Sequence, residues 1–395
     1  MISETSGLAF YKARLVLSDR LIENGWLFIK NGIIHDIGDS EYLPQSVIDE
    51  ATDLIDVGGQ WILPGFIDIH VHGGDGYDVM DGSVKAIQAV AIFHATRGTT
   101  GWLPTTLTAP IDDLKNVLTS VSSAATSSCK GAQILGVHLE GPFISPERCG
   151  AQNPKYVITP SIDILQQLTE ISKGLVKKVT IAPERPYAIE VIHWMKKHGI
   201  IASIGHTNAT IKQAMLGVSA GARHATHLFN AMRGLHHREA GTVGAMLLSD
   251  DVICELIADG NHVTATVMKL VYHLKGRERI IITTDAMSAA GKSDGTYSLG
   301  DLDVTVENGL AVLTDSHNLA GSTLTMDAAI RNMVESVNVS LVDAAYMASM
   351  VPARELGLGE KKGSIAVGKD ADLVIMDEHL HVVATWIGGR QVFKQ

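Results

Sequence analysis

Two histidines, His70 and His72, stand one residue apart at the end of an apolar run in PGFIDIHVHGG (64–74). Residues i and i+2 of a strand point to the same face, so an H-x-H pair can present two imidazoles to one metal ion. The pair is weak evidence by itself, because a single histidine at a strand end is more often a hydrogen-bonded structural residue. A metal site therefore needs further ligands elsewhere in the chain.

Four further candidate ligands close other predicted strands. Glu140 lies in HLEGP, His206 in IGHT, His227 in THLFNAM and Asp285 in TTDAM. Imidazoles and carboxylates without a thiolate suit Zn(II), Fe(II), Mn(II) or Co(II) and distinguish poorly between them. Four histidines and two carboxylates on five of eight predicted strand ends are difficult to obtain by chance. We therefore predict a divalent metal site, with His138 as a supporting or core residue.

These ligands need a scaffold that brings many strand ends to one rim. Between about 61 and 350, apolar or β-branched runs alternate with helix-length segments, which is the pattern of repeated βα units. The eight runs are WILPGFIDIHVHG, GTTGWLPTTLT, ILGVHLEG, VKKVTIAPE, IIASIGHT, ARHATHLFNA, VICELIADG and RIIITTDAM. Eight units favour an α/β fold of the (β/α)8 TIM-like barrel type, whose active site lies where strands end and βα loops begin.

The two ends of the chain differ from its middle. Short apolar runs separated by turn signals occupy residues 8–60 and recur in GSIAVGKDADLVIMD and HVVATWIGGRQVF near the C-terminus. We predict that both ends pair into one small β-sandwich domain. Residues 1–60 and 356–395 would be its two parts, and residues 61–355 the barrel.

Composition argues against several classes of function. The 395-residue chain carries 32 Lys+Arg against 43 Asp+Glu, a net charge of −11, without a basic stripe. Nucleic acid and anionic membranes are therefore disfavoured as partners. Cys129, Cys149 and Cys254 form no C-x-x-C pair, which argues against a disulfide framework and a thiolate zinc site. The N-terminus lacks a signal-peptide pattern, and no run approaches about 18 apolar residues. We expect a cytoplasmic protein.

The chain resembles the amidohydrolase superfamily over nearly its whole length. PGFIDIHVHG and GSIAVGKDADLVI are general features of that superfamily. More specific motifs, in order, resemble its N-acetylglucosamine-6-phosphate deacetylases: HLEGPF, IGHTNAT, THLFNAM, HREAGTVGA, ADGNHV, TTDAMSAAG and LAGSTLTMD. The resemblance implies hydrolysis of N-acetylglucosamine 6-phosphate to glucosamine 6-phosphate and acetate, in amino-sugar catabolism or cell-wall recycling. Two alternatives stay open: a deacetylase of the galactosamine epimer, and a non-catalytic scaffold of the same fold.

The resemblance also implies how the metal is held. Glu140, His206 and His227 match the principal metal site of the deacetylases, and His70 and His72 match a second site found only in some members. One or two divalent ions per chain, with zinc or iron favoured, are therefore expected. Dihydroorotase-like relatives bridge two metals with a carboxylated lysine at the end of the fourth strand. Here VKKVTIAPE has its lysines at the beginning of that strand.

Asp285 matches the catalytic aspartate of the deacetylases. In that role it accepts a proton from the attacking water and gives it to the departing nitrogen. The same carboxylate is also expected to touch the second metal.

The remaining matches concern the sugar phosphate. Arg238, in RGLHHREAG, matches a phosphate-binding arginine that reaches across a homodimer interface, and an arginine fork suits a phosphate. His262 and the backbone around Asn230 and Ala231 complete the expected pocket. Gln152 stands where some members have a substrate-contacting histidine; it can hydrogen-bond but cannot carry charge.

Overall fold

A barrel of eight parallel strands forms the centre of the computed structural model, which describes residues 7–395. Each predicted run contains one barrel strand, so the barrel prediction is confirmed. The barrel strands, numbered 1 to 8 below, are Phe66–Val71, Thr99–Thr106, Val137–Glu140, Val176–Ile181, Ile201–Ile204, His224–Ala225, Ile253–Ile257 and Ile280–Thr283. Residues 1–6, the beginning of the predicted first domain segment and of the N-terminus without a signal-peptide pattern, lie outside the described residues.

The strands pair in sequence order, each parallel to the next. The barrel closes between strands 8 and 1, where the Asp285 backbone N–H donates to the His70 carbonyl at 2.9 Å. A parallel bridge between Val71 and Ala286 extends this contact. Closure places the ends of strands 1 and 8 side by side, which a doubly wound open sheet would not do.

Helices cover the barrel and separate its strands. Those after strands 1 to 7 are Val84–Ala95, Ile111–Thr126, Ile162–Ile171, Ala188–Lys197, Ile211–Ala220, Gly241–Leu248 and Ala265–Lys275, and three more, Met326–Glu335, Leu341–Ala348 and Met350–Glu355, follow strand 8. Short 3-10 turns lie at Val79–Asp81, Pro146–Arg148, Pro154–Tyr156 and Arg277–Arg279. Ser83, Ser161 and Thr210 begin their helices by accepting a hydrogen bond from the backbone three residues on, the usual N-cap contact. Within residues 7–395, every helix is too short or too polar to cross a bilayer.

Alternation along the strands separates an apolar exterior from a polar interior. On strand 4, Val179 and Ile181 join the main apolar core. Lys178 instead contacts Glu255 of strand 7, and Thr180 contacts Thr226, which follows strand 6. Contacts between strands that are not neighbours lie inside the barrel. Its interior is therefore a hydrogen-bonded polar network.

The two ends of the chain form one small β domain, as predicted. Its strands are Gly7–Val16, Leu21–Lys30, Ile33–Gly38, Asp53–Asp56, Trp61–Pro64, Leu373–Met376, Val382–Ile387 and Arg390–Lys394, with one short helix, Gln45–Glu50. The ends are joined where Leu373–Met376 pairs antiparallel with Trp61–Pro64. In its core, Phe10 and Trp386 meet edge to face with ring centres 5.2 Å apart. The domain limits 1–60, 61–355 and 356–395 stay a prediction.

A three-stranded antiparallel sheet follows strand 8 and was not predicted from the sequence. Its strands are Gly295–Leu299, Leu302–Glu307 and Leu310–Leu313. Alternating residues and turn signals in TYSLGDLDVTVENGLAVL are the pattern that predicts such a sheet. Shorter strands lie at Gly73–Gly74, Tyr77–Asp78 and Gln133–Ile134. The inserted sheet matters because Leu299 at its first turn lines the cavity described below.

Candidate metal centre and cavity

All six predicted ligands meet at the carboxyl ends of the barrel strands. Glu140 lies at the centre: its Oε1 is 3.2 Å from His206 Nε2 and 3.0 Å from His227 Nε2. Its Oε2 is 3.1 Å from His72 Nε2. Two possible metal-binding groups share this carboxylate, one with His70 and His72 and the other with His206 and His227.

Asp285 completes the half of the cluster formed by strand 1. Its Oδ1 lies 3.3 Å from His70 Nε2 and 3.2 Å from His72 Nε2. Its side chain is about one-tenth exposed, whereas Glu140 is almost fully buried. Asp285 is thus the carboxylate of the cluster with more access to the cavity.

In three of the four imidazoles, Nδ1 lies within hydrogen-bond distance of a group that can only accept a hydrogen bond. The partners are Glu255 Oε2 for His70, the Thr105 carbonyl for His72 and the Arg148 carbonyl for His206, at 3.2, 3.2 and 3.1 Å. Each neutral ring therefore carries its proton on Nδ1 and turns the lone pair of Nε2 toward the cluster. This is the tautomer that a metal-binding histidine needs.

This donor set fits a divalent cation. Unprotonated Nε2 atoms and carboxylate oxygens about 3 Å apart repel one another unless a positive charge lies between them. Without a metal ion, protons on the histidines supply that positive charge. Burial lowers the pKa of His70 and His72, but Glu140 and Asp285 raise the pKa of His70 to about 9 and that of His72 to about 10. Burial likewise opposes ionisation of Glu140, but His70 and His206 hold its pKa well below the usual range.

Three cluster residues have a left-handed backbone. His206, His227 and Asp285 have φ of 46°, 33° and 52°, a conformation that costs a residue with a side chain roughly 1–3 kcal/mol. Each stands just beyond the end of a strand. At Asp285 the conformation is held on both sides, because its N–H donates to the His70 carbonyl and its carbonyl accepts from Ser322 N–H. Such conformations concentrate at functional sites.

A cavity of about 360 Å³ opens above the cluster. Four residues predicted to contact the substrate line it: Gln152, Asn230, Ala231 and His262. His262 Nδ1 lies 2.7 Å from Asp259 Oδ2, which orients its ring. The same cavity is lined by the loop residues 147–152.

Arg238 does not join the cavity of its own chain. It stands exposed in the loop between strand 6 and the helix Gly241–Leu248. A tight turn there is held by reciprocal backbone hydrogen bonds between His236 and Glu239. Arg238 was predicted to reach the cavity of a neighbouring copy, and that contact stays a prediction.

Gln152 contacts a predicted metal ligand directly. Its Nε2 donates to Glu140 Oε2 at 2.7 Å, and its Oε1 accepts from Thr108 N–H at 2.6 Å. Both ends of the amide are therefore engaged within the protein. Gln152 orients Glu140 from the wall of the cavity.

The groups that hold the histidines were not predicted from the sequence. Glu255 and Lys178 form an ion pair beneath His70, and both are fully buried. Charged residues within the apolar strands VICELI and VKKVTI were the available signal, because unpaired charges are not buried. His138, as expected, is a supporting residue: its ring meets that of His70 edge to face at 4.6 Å, and its Nε2 lies 2.8 Å from Thr180 Oγ1.

Comparisons with known proteins agree with this geometry. Residues 61–392 match the model of the amidohydrolase family. The chain is 39% identical to N-acetylglucosamine-6-phosphate deacetylase of Bacillus subtilis over 384 residues, 96% of this chain and 95% of that protein. It is 40% identical to N-acetylgalactosamine-6-phosphate deacetylase of Escherichia coli O157:H7 over 375 residues, 94% of this chain and 96% of that protein.

A solved structure shows the same fold. It is a mutant N-acetyl-D-glucosamine-6-phosphate deacetylase from Mycobacterium smegmatis in complex with N-acetyl-D-glucosamine-6-phosphate. The TM-score is 0.92 at 33% identity, and the match covers 98% of this chain and 100% of that one.

Proposed function

The chain belongs to the amidohydrolase family, and from this membership we propose that it hydrolyses the acetamide of N-acetyl-D-glucosamine 6-phosphate to D-glucosamine 6-phosphate and acetate. The observation that carries the proposal is the cluster of four imidazoles and two carboxylates beneath a cavity of about 360 Å³. Nearly full-length relatives are named for this reaction. A scaffold that had lost its activity would not need the cluster intact.

We propose that Glu140, His206 and His227 hold the principal metal ion. His70 and His72, with Asp285 beside them, would hold a second ion, so that each chain binds one or two. Zinc or iron suits these nitrogen and oxygen donors. A bound divalent cation polarises the amide carbonyl and lowers the pKa of water from about 15.7 toward about 7.

Asp285 is proposed as the catalytic acid and base. Burial raises the pKa of Asp285, but the positive charges of protonated His70 and His72 lower it below the usual value. A bound divalent cation would replace those charges and likewise favour the ionised carboxylate. Asp285 accepts a proton as the water oxygen bonds to the carbonyl carbon. It returns that proton to the nitrogen as the carbon–nitrogen bond breaks. The products are acetate and the free amino sugar.

Residues of the cavity wall are proposed to position the sugar phosphate. His262, Asn230 and Ala231 would contact the phosphate end, and Gln152, which donates to Glu140, would lie nearer to the reacting amide. Within residues 7–395, Arg148 is the one lysine or arginine that lines the cavity. A dianionic phosphate is better held by more than one cation, which supports a contribution from Arg238 of a second copy.

A homodimer is therefore part of the proposal. The helix that follows the Arg238 loop, Gly241–Leu248, packs against Ile211–Ala220, the helix before strand 6, and both helices carry exposed apolar side chains. Leu216 is 53% exposed and Leu248 is 75% exposed, and Leu235 in the loop is 60% exposed. Exposed apolar side chains near a loop whose arginine does not line the cavity of its own chain favour association with a second copy.

We also propose a cytoplasmic location. Cys129, Cys149 and Cys254 are free thiols, as expected in a reducing compartment.

One experiment tests the proposed reaction. Acetate release is measured with N-acetylglucosamine 6-phosphate and with its galactosamine epimer, while metal content per chain is determined before and after chelation. We expect release from the glucosamine substrate, its loss on chelation and its return with Zn²⁺ or Fe²⁺. Because identity to the galactosamine-type relative is equally high, preferential release from the epimer would assign that substrate instead. Release from neither would contradict an enzymatic function.

A further inference from the structure

A buried ion pair lies directly beneath the metal centre. Glu255 of strand 7 and Lys178 of strand 4 are both fully buried and in ionic contact. Removing two charges from water costs more free energy than leaving an ion pair exposed. A protein whose buried ion pair is replaced by apolar residues of similar volume is often equally stable. Stability alone therefore does not account for this pair in the middle of the barrel.

The pair has one contact that points to a specific role. Glu255 Oε2 lies 3.2 Å from His70 Nδ1, while His70 Nε2 faces Glu140, His72 and Asp285. The other oxygen of this carboxylate, Oε1, lies in ionic contact with Lys178 Nζ, so the side chain is held as a carboxylate. An ionised carboxylate accepts hydrogen bonds and cannot donate one. His70 must therefore place its proton on Nδ1.

We propose that Glu255, paired with Lys178, is a positioning residue that fixes the Nδ1–H tautomer of His70 and directs its Nε2 into the cluster. Lys178 supplies the compensating charge that allows the carboxylate to remain in the barrel interior. The inference rests on the proposed metal-dependent function, because it concerns the half of the cluster formed by His70 and His72.

Comparison with the other imidazoles supports this role. His72 and His206 are held by backbone carbonyls, and among the described residues His227 Nδ1 has no hydrogen-bond partner. His70 differs in being held by a charged side chain. A carboxylate behind a metal-binding histidine both fixes its tautomer and raises its basicity.

The chain offers a matched control for this contact. Glu355 Oε2 lies 3.3 Å from Nε2 of His224, whose Nδ1 is 3.8 Å from Glu255 Oε1. Glu355→Gln thus removes a carboxylate from His224, a histidine that lies near Glu255 and is not a predicted metal ligand. It does not touch His70.

The test combines Lys178→Met with Glu255→Gln, which removes the carboxylate without leaving an unpaired lysine. Zn²⁺ affinity is measured by titration of the metal-free protein. The His70 tautomer is read by ¹⁵N NMR of the histidine-labelled, zinc-loaded protein, with His70→Asn to assign the signal. We expect wild type to show a proton on Nδ1 alone. In the double variant we expect a mixed or Nε2–H tautomer and roughly ten- to hundredfold weaker binding at the His70–His72 half. Glu355→Gln should match wild type in both measurements.

An unchanged tautomer and unchanged Zn²⁺ affinity in a folded double variant would overturn the inference. A doubly protonated His70 in the zinc-loaded wild type would overturn it too. If the double variant does not fold, Glu255→Asp provides the test. The shorter side chain keeps a negative charge beside Lys178, but its carboxylate oxygen no longer reaches His70 Nδ1. We expect intermediate affinity, and wild-type behaviour would refute the role. These readouts do not depend on turnover, so absence of acetate release would reject the proposed reaction and leave this result standing.

Discussion

The two carboxylates of the cluster differ in how many polar groups their oxygens contact. Glu140 contacts four imidazoles and also accepts from the Gln152 amide. Among residues 7–395, the Asp285 carboxylate forms ion pairs with His70 and His72 alone, and it is the more exposed of the two carboxylates. A saturated carboxylate serves as a ligand, whereas one with an available oxygen can exchange a proton with the substrate. The geometry therefore supports Asp285 as the acid and base.

Asp285→Asn should separate chemistry from metal binding. The amide keeps the size of the side chain but cannot accept the water's proton, so we expect kcat to fall roughly 10²- to 10⁴-fold. Metal content should remain largely intact, because Glu140, His206 and His227 are untouched. Acetate release and metal content per chain are measured together. Asp250→Asn, at a side chain 87% exposed, is the control. Near-normal turnover in Asp285→Asn would reject the assignment.

Gln152→Glu tests whether this residue acts through Glu140. The new carboxylate can still accept from Thr108 N–H, but it faces Glu140 Oε2 with an acceptor in place of a donor. A hydrogen bond to a charged group is worth about 1.5–3 kcal/mol, so we expect a roughly ten- to hundredfold loss of kcat/KM and weaker metal retention.

Gln166→Glu makes the same change at an exposed helical pair, where Gln166 Nε2 donates to Glu170 at 2.9 Å. It should behave as wild type. Unchanged metal retention in Gln152→Glu would show that Glu140 does not depend on this amide.

Strands and loops differ in how far the sequence predicts them. Strand ends were predictable because their apolar runs stop at Glu140, His206, His227 and Asp285, and parallel strands bring such ends to one rim. The groups that orient these ligands were not. Glu255 reaches His70 across the barrel from a distant part of the chain, and two other partners are backbone carbonyls. Neither kind of contact leaves a local pattern in the sequence.

The helix Met350–Glu355 is tied to strand 6 by a charge, and this tie should depend on pH. Burial raises the pKa of Glu355, but His224, Arg223 and Arg354 lower it from 4.5 to about 2. Its ionised form therefore stabilises the fold fully above about pH 4.5, and the contribution is lost as pH falls toward 2.

Glu355→Gln removes that contribution. Between about pH 6 and about pH 3.5 the stability difference between wild type and variant should shrink by about 1 kcal/mol. Urea unfolding of both proteins across this range checks the value, and the shared metal centre cancels in the comparison. A constant difference across the range would show that Glu355 titrates normally in the folded state.

The proposed contact between Arg238 and the phosphate of the substrate predicts how KM changes when this arginine is removed. Arg238→Ala should raise KM for the phosphorylated sugar roughly ten- to hundredfold, since charge-assisted hydrogen bonds are worth about 1.5–3 kcal/mol. It should lower kcat far less, because Arg238 lies away from the metal centre. Arg390→Ala, exposed in the small β domain, is the control. Equal activity on free N-acetylglucosamine and its 6-phosphate would refute a phosphate pocket.

Two impaired variants, one in substrate binding and one in catalysis, should complement each other if Arg238 serves the neighbouring copy. In a dimer of one Arg238→Ala chain and one Asp285→Asn chain, the first chain keeps its aspartate and receives an intact arginine from the second. One of the two sites is then complete. We expect the mixture, after dissociation and reassociation, to release acetate from dilute N-acetylglucosamine 6-phosphate faster than the sum of the separate variants. An arginine acting within its own chain would leave both sites of the mixed dimer defective, and the mixture would show no gain.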